Sequence, residues 1–185
     1  MILMYKHERE PNWFWYEDYL TYGNSLLPEA MLCAYICTEN EEYKKIAEES
    51  VSFLISIIFI GSKLKVISNK GWYQKNITNK VQVGGEQPID VAYTVLAMEK
   101  FYNICKDEKY RERATQAFNW FLGDNHLQQM VYNPCTGGSY DGVEEYNVNL
   151  NQGAESTASY LMARLAIERI MHTGDSHMRS NGERN

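Results

Sequence analysis

No apolar run in this chain is long enough to cross a bilayer. The longest, Val51 to Ile60, spans ten residues and includes Ser52 and Ser56. A spanning helix needs about 20, so a buried helix end is expected there. The first residues, Met1 to Glu8, meet charge at Lys6 and contain no extended apolar segment, so no secretory signal is expected. Excess basic charge is also missing. Lys and Arg number 18 against 24 Asp and Glu, a net charge of −6, which argues against nonspecific nucleic-acid binding because that binding draws on cations. Cysteines are few: Cys33, Cys37, Cys105 and Cys135. Cys33 and Cys37 lie one helical turn apart with no histidine near them in sequence. Buried free thiols in a reducing cytoplasm are therefore expected, and a metal site is not. The histidines, His7, His126, His172 and His177, show no ligand spacing, and none is read as catalytic. There is no phosphate-cradling glycine loop, nucleophile elbow or HExxH, so no cofactor is implied. Gly84-Gly85 and Gly137-Gly138 read as turn glycines.

What the chain does have is a repeat. Ala30, Met31, Tyr35, Glu41, Tyr43 and Ala47 recur 67 positions later as Ala97, Met98, Tyr102, Glu108, Tyr110 and Ala114. Each copy reads as helix, short polar turn, helix, the pattern of a stacked helical-hairpin scaffold. At 185 residues the chain is long enough for one domain that buries roughly 70% of its unfolded surface. That domain is expected over residues 1–172, with 173–185 a polar, disordered tail. The apolar share of 44% supports a globular chain, and 14 tyrosines suit partly wet clefts.

Apolar spacing predicts five helices. The first runs from about Asn24 to Cys37, with Pro28 in its first turn. The second begins near Glu41 and reaches about Ile60, where Gly61 stops it. The third runs from Pro88 to about Cys105. Asp107 caps the fourth, which ends at Gly123. The fifth starts near Ala154 and reaches about His172. Between them, Ser62 to Glu86 reads as loop with possible strands, including Val81 and Val83. Asp124 to Gly153 is a second excursion with a turn at Asn133-Pro134. The first, third and fifth helices are rich in alanine, among them Ala30, Ala97, Ala154 and Ala158. These three are expected inside, and the other two outside.

Three acidic clusters precede the three alanine-rich helices. Glu17 and Asp18 stand with Tyr22 and Asn24. Glu86 and Gln87 stand one turn before Asp90. Asp141, Glu144 and Glu145 lead to Asn151, Gln152 and Glu155. If the three helices run parallel, all three clusters meet at one end. Carboxylates and amides pair with vicinal hydroxyls, and aromatic faces cover sugar rings, so such a gathering suits a glycan. Helix capping is the plainer reading, and it is favoured for Asp90 and Asn24 taken alone. Packing is the plainer reading for Trp13 and Trp15. The candidate acids are Glu17, Asp18, Glu86, Asp141 and Glu155. The candidate sugar-binding groups are Trp13, Trp15, Tyr140, Asn151 and Gln152. Two acids across a cleft could cleave a glycosidic bond, one protonating the leaving oxygen and the other activating water or attacking.

The stretch Trp13-Phe14-Trp15-Tyr16-Glu17-Asp18-Tyr19-Leu20-Thr21-Tyr22-Gly23-Asn24, continuing through Pro28-Glu29-Ala30, resembles a motif of bacterial (α/α)6-toroid proteins of the six-hairpin glycosidase type. Glu86-Gln87-Pro88-Ile89-Asp90, Phe118-Asn119-Trp120-Phe121-Leu122-Gly123 and Asn151-Gln152-Gly153-Ala154-Glu155-Ser156-Thr157 resemble the same family, which includes glycosyltransferases and glycosyltransferase-associated proteins. The resemblance implies an all-α fold and carbohydrate chemistry, and carries over no catalytic residue. Five helices make about two and a half hairpins, so the expected fold is a partial (α/α) toroid, like the C-terminal part of a ring, with long loops at one end. Such an open arc leaves apolar helix edges uncovered, so self-association or a missing toroid half is expected. A noncatalytic sugar-binding or scaffold module, and a helical protein-interaction module, are the alternatives to an enzyme.

Overall fold

The computed structural model describes residues 1–77 and 82–182, those from 173 onward as backbone only. Val81 of the Ser62–Glu86 excursion and the last three residues of the expected tail lie outside the described residues. The chain is mainly α. In order come α1 (Ile2–Glu8), β1 (Tyr19–Leu20), α2 (Leu26–Thr38), α3 (Glu41–Ile58), β2 (Phe59–Ile60), β3 (Lys63–Leu64), β4 (Tyr73–Gln74), α4 (Pro88–Cys105), α5 (Glu108–Asn119), β5 (Gly142–Val143), β6 (Val148–Asn149) and α6 (Ala154–Gly182).

The repeat is visible in the turns. Glu39 ends α2 at φ 56°, and Lys106 ends α4 at φ 55°, both left-handed. One residue later Asn40 and Asp107 cap the next helix, each accepting a bond from the backbone N–H two residues on, Glu42 and Lys109. These caps satisfy N–H groups that the first helical turn cannot bond internally. The 67-residue offset is thus a repeat of backbone conformation as well as of side chains.

α3 packs on α2, α5 on α4, and α4 lies between α2 and α6. The contacts between these helices advance in the same direction along both. Gly23 at the start of α2 meets Asp90, Ser25 meets Thr94, and Glu29 further along pairs with Lys100. Glu155 neighbours Asp90 early in α6, and Arg169 pairs with Glu99 later. α2, α4 and α6 are therefore parallel, and their N-termini share one end.

The core fills the space between these helices and their partners. Val95, Met98 and Phe101 of α4 meet Tyr110, Ala114 and Phe118 of α5, with Trp120 and Phe121 in the short 3-10 turn that follows. The expected inside trio is corrected here. Only α4 is buried over most of its circumference, while α2 and α6 are flanking helices. Ala97, between α2 and α4, is fully buried, but its repeat equivalent Ala30 is exposed because α2 has no parallel helix on that side. Ala154 and Ala158 are exposed for the same reason on α6. The thiols also depart from expectation. Cys37 and Cys135 are exposed, and Cys33 and Cys105 are half-buried.

Two further differences concern the ends. α1 was not foreshadowed by sequence spacing. Its single buried residue, Tyr5, lies against the Tyr16 ring and donates to Glu49 of α3 at 2.7 Å. α6 continues as helix to Gly182, ten residues past the expected end. The strands are all two-residue ladders: β2 pairs with β3, β5 with β6, and β1 with β4 across 54 positions. Among the described residues, no helix is long and apolar enough to cross a membrane.

Candidate functional site

The common N-terminal end of α2, α4 and α6 gathers four carboxylates. Asp90, in the first turn of α4, accepts the Gly23 N–H at 2.5 Å, which ties the entry of α2 to α4. Glu155, in the first turn of α6, faces Asp90 closely enough to repel its charge. Asp141 accepts the Gly153 N–H and the Ser156 hydroxyl, each at 2.7 Å, and the Asn151 side-chain amide. Glu86 exchanges both backbone bonds with Val143, which brings the two long excursions together.

These acids differ in what they are free to do. Glu86 is 2% exposed, and its side chain turns inward. Its Oε2 accepts the Trp120 indole N–H at 2.7 Å, and its Oε1 lies 3.2 Å from Nδ1 of His126. Burial raises its pKa, and the Trp120 hydrogen bond and the positive charge of His126 oppose the rise. Asp141 is pulled below the ordinary carboxylate value: its three donors outweigh a burial effect that acts to raise it. Three hydrogen bonds hold it in a structural role, closing the loop ahead of α6. Asp90 is 7% exposed. Burial pushes its pKa from 3.8 to about 6; repulsion from Glu155 adds to the rise, and the Gly23 N–H opposes it. Glu155 is exposed.

The sign of the Asp90 shift has a consequence for stability. Its folded pKa lies above its unfolded value, so its contribution is most favourable below pH 3.8 and is lost as pH rises through about 6. At neutral pH the folded chain therefore carries an ionised carboxylate in a dry site at a cost on the order of 3 kcal/mol. An asparagine could accept the same Gly23 N–H without that cost.

The other candidates lie elsewhere or are already engaged. Glu17 and Asp18 line a separate depression with Met4, His7 and Glu8 of α1, and the structure does not bring them to the α4–α6 acids. Their backbone carbonyls are used locally, Glu17 by the Trp13 indole and Asp18 by the Lys75 N–H. Trp15 is 0% and Trp13 6% exposed. Both pack near Phe53, and Trp13 also stacks on Tyr73, so packing replaces the expected sugar-facing role. Tyr140 is half-buried against the core, and its hydroxyl accepts the Asn133 amide. Gln152 accepts the Thr136 hydroxyl at 2.6 Å. Tyr22, which precedes Gly23 in the chain, is 74% exposed.

Sequence reasoning missed His126. Its Nε2 lies 2.9 Å from the Glu144 carbonyl oxygen, while Nδ1 faces Glu86. Both partners are acceptors, so both contacts form only when two protons are shared between the imidazole and the carboxyl group. His126 and Glu86 are 40 positions apart, and no local pattern announces the pair. Asp90 was visible in the sequence, but as a cap; what marks it is burial, which spacing does not report.

A larger open groove of about 810 Å³ lies away from this end, lined by Arg9, Phe14, Lys45, Glu48, Phe53 and Ile57 among others. Its acid Glu49 is committed to Tyr5 and Arg9. The shared helix end, not this groove, has two acids in contrasting environments. Compared with known proteins, the chain matches no family model and no curated sequence. The functional reading therefore rests on the residues.

Proposed function

We propose that the chain binds a glycan at the shared N-terminal end of α2, α4 and α6, with glycoside hydrolysis by the Asp90–Glu155 pair as its enzymatic form. The observation that carries this is Asp90, a buried acid kept at a cost to stability where a neutral amide would hold the same N–H. Retained cost of this kind is characteristic of functional sites. A pair whose environments split its pKa values also divides the labour: Asp90 holds its proton to about pH 6 and serves as the acid, and exposed Glu155 serves as the base. Tyr22, exposed and adjacent to Gly23, offers a ring for sugar stacking, while the Asn24 amide is held by the Thr21 backbone.

The scaffold we propose is a partial (α/α) toroid. The parallel row of α2, α4 and α6, with α3 and α5 packed on it, and the repeated left-handed turn and cap support that reading. The resemblance to the six-hairpin glycosidase type points the same way, including its glycosyltransferase-associated members. One observation favours a noncatalytic module: of the four carboxylates gathered at this end, Glu86 and Asp141 are consumed in structural bonds, which leaves Asp90 and Glu155.

A glycan array followed by reducing-end release from each bound oligosaccharide separates these readings. The hydrolase reading predicts turnover that falls at least 100-fold in Asp90→Asn while binding persists. Binding without turnover supports the sugar-binding module. Neither binding nor turnover would leave the protein-interaction reading.

A further inference from the structure

α4 is covered on both sides by parallel helices, whereas among the described residues α6 packs against α4 and α5 on one side. Its buried positions, Ser156, Ser159, Tyr160, Ala163, Ala166, Ile167 and Ile170, turn toward α4 and α5. The opposite side keeps large apolar groups in water: Leu161 at 50%, Leu165 at 55% and Met171 at 56% exposed. Between them, Arg164 and Glu168 pair at 2.7 Å along the helix surface, both about half-exposed.

The order of these groups matters. Leu161, Arg164, Glu168 and Met171 are spaced three, four and three residues apart, so they form one stripe. The stripe reads apolar, positive, negative, apolar. Turned end for end against itself, it places apolar on apolar and each positive group on a negative one. In an antiparallel pairing about an axis near position 166, Leu161 of one copy packs on Met171 of the other. Arg164 of each copy meets Glu168 of the other, and Leu165 lies beside the axis. A parallel pairing would instead set like charges opposite each other.

We propose that this face of α6 is the interface of a two-fold dimer with a second copy of the chain. A face that complements itself needs no partner of other chemistry, and a two-fold contact uses the same patch on both copies. Leu161, Leu165 and Met171 leave on the order of 300 Å² to water, at the lower end of the range for the largest apolar patch on a typical monomer. The flanking charges extend the contact toward the ~800 Å² per partner of a stable pair. This inference is independent of the glycan reading.

Sedimentation of the full chain across micromolar concentrations tests it. Wild type is expected at twice the chain mass by about 100 μM, a concentration at which even modest dimers form. Arg164→Glu should weaken the dimer at least tenfold by placing Glu opposite Glu. The exchange Arg164→Glu with Glu168→Arg should restore it to within about threefold, since both charges invert together. Leu161→Lys should abolish it, with helical circular dichroism unchanged because Leu161 touches solvent. A monomeric wild type overturns the proposal. So does a dimer indifferent to Arg164→Glu and Leu161→Lys, or one that the charge exchange fails to rescue.

Discussion

Glu86→Ala is expected to lower the stability of the chain by about 3 kcal/mol. Glu86 is buried, and two groups depend on it. The Trp120 indole N–H, in a ring that is 0% exposed, would lose its acceptor, and His126 Nδ1 would lose its partner. A buried donor left without an acceptor retains its full desolvation penalty, because water cannot reach it. For a chain of this length the loss amounts to roughly 6–12 °C in melting temperature. Glu86→Gln separates charge from shape. Its amide oxygen can still accept from Trp120, and its NH2 can donate to Nδ1, so about 1 kcal/mol is expected. Thermal melts of both variants read this directly. Equal losses would mean that charge, not hydrogen-bond geometry, is what Glu86 supplies.

The second large effect is predicted at Gly84. Its φ of +82° already disfavours any side chain, and a Cβ there would overlap the backbone of Glu144 and Glu145. Backbone cannot step aside as the end of a long side chain can. The Glu144–Glu145 segment would have to move, and it holds the carbonyls that face His126. Gly84→Ala should therefore cost more than 3 kcal/mol, combining left-handed strain with a displaced loop. Gly137 is the control. Its φ is +75°, but nothing lies within 4 Å of an added Cβ. Gly137→Ala should cost only about 1 kcal/mol, the strain alone. Denaturant midpoints compare the two. Similar small losses would show that the loop across from Gly84 gives way easily.

Punctuation in the sequence marks the helices well. Pro88 at the start of α4, Asp107 before α5 and the polar turn Thr38-Glu39-Asn40 all act locally, through fixed φ or a side-chain cap, so they can be read without the fold. The 67-residue repeat survives for the same reason, since it is built from these local stops. α1 was not legible because seven residues give too few turns for a period, and it is held by Tyr5 contacting Tyr16 and Glu49. The two-residue strands carry no alternation to detect, and β1–β4 depends on a distant partner.

The candidate site divides along the same line. The hairpin repeat led to the expectation that all three acid clusters meet if the alanine-rich helices run parallel; the parallel helices bring Asp90 and Glu155 together, but Glu17 and Asp18 lie elsewhere. Which acids remain free did not follow. Glu86 turns inward because Trp120 and His126, 34 and 40 positions away, offer it donors, and Asp141 is taken up by three local donors. Trp13 and Trp15 look like a sugar platform in sequence, yet they fill the space between the N-terminal segment and α3. Large rings bury themselves wherever a core can take them, and polar groups nearby in sequence do not prevent it.

The most direct test of the proposed acid pair is the titration of the Asp90 carboxyl carbon by nuclear magnetic resonance, in the wild type and in Glu155→Gln. A midpoint of about 6 is expected in the wild type. In Glu155→Gln it should fall toward the ordinary 3.8 without reaching it, because repulsion is removed while burial remains. A wild-type midpoint near 3.8, or one that does not respond to Glu155→Gln, would contradict the pairing of these two acids and, with it, the division of acid and base at this site.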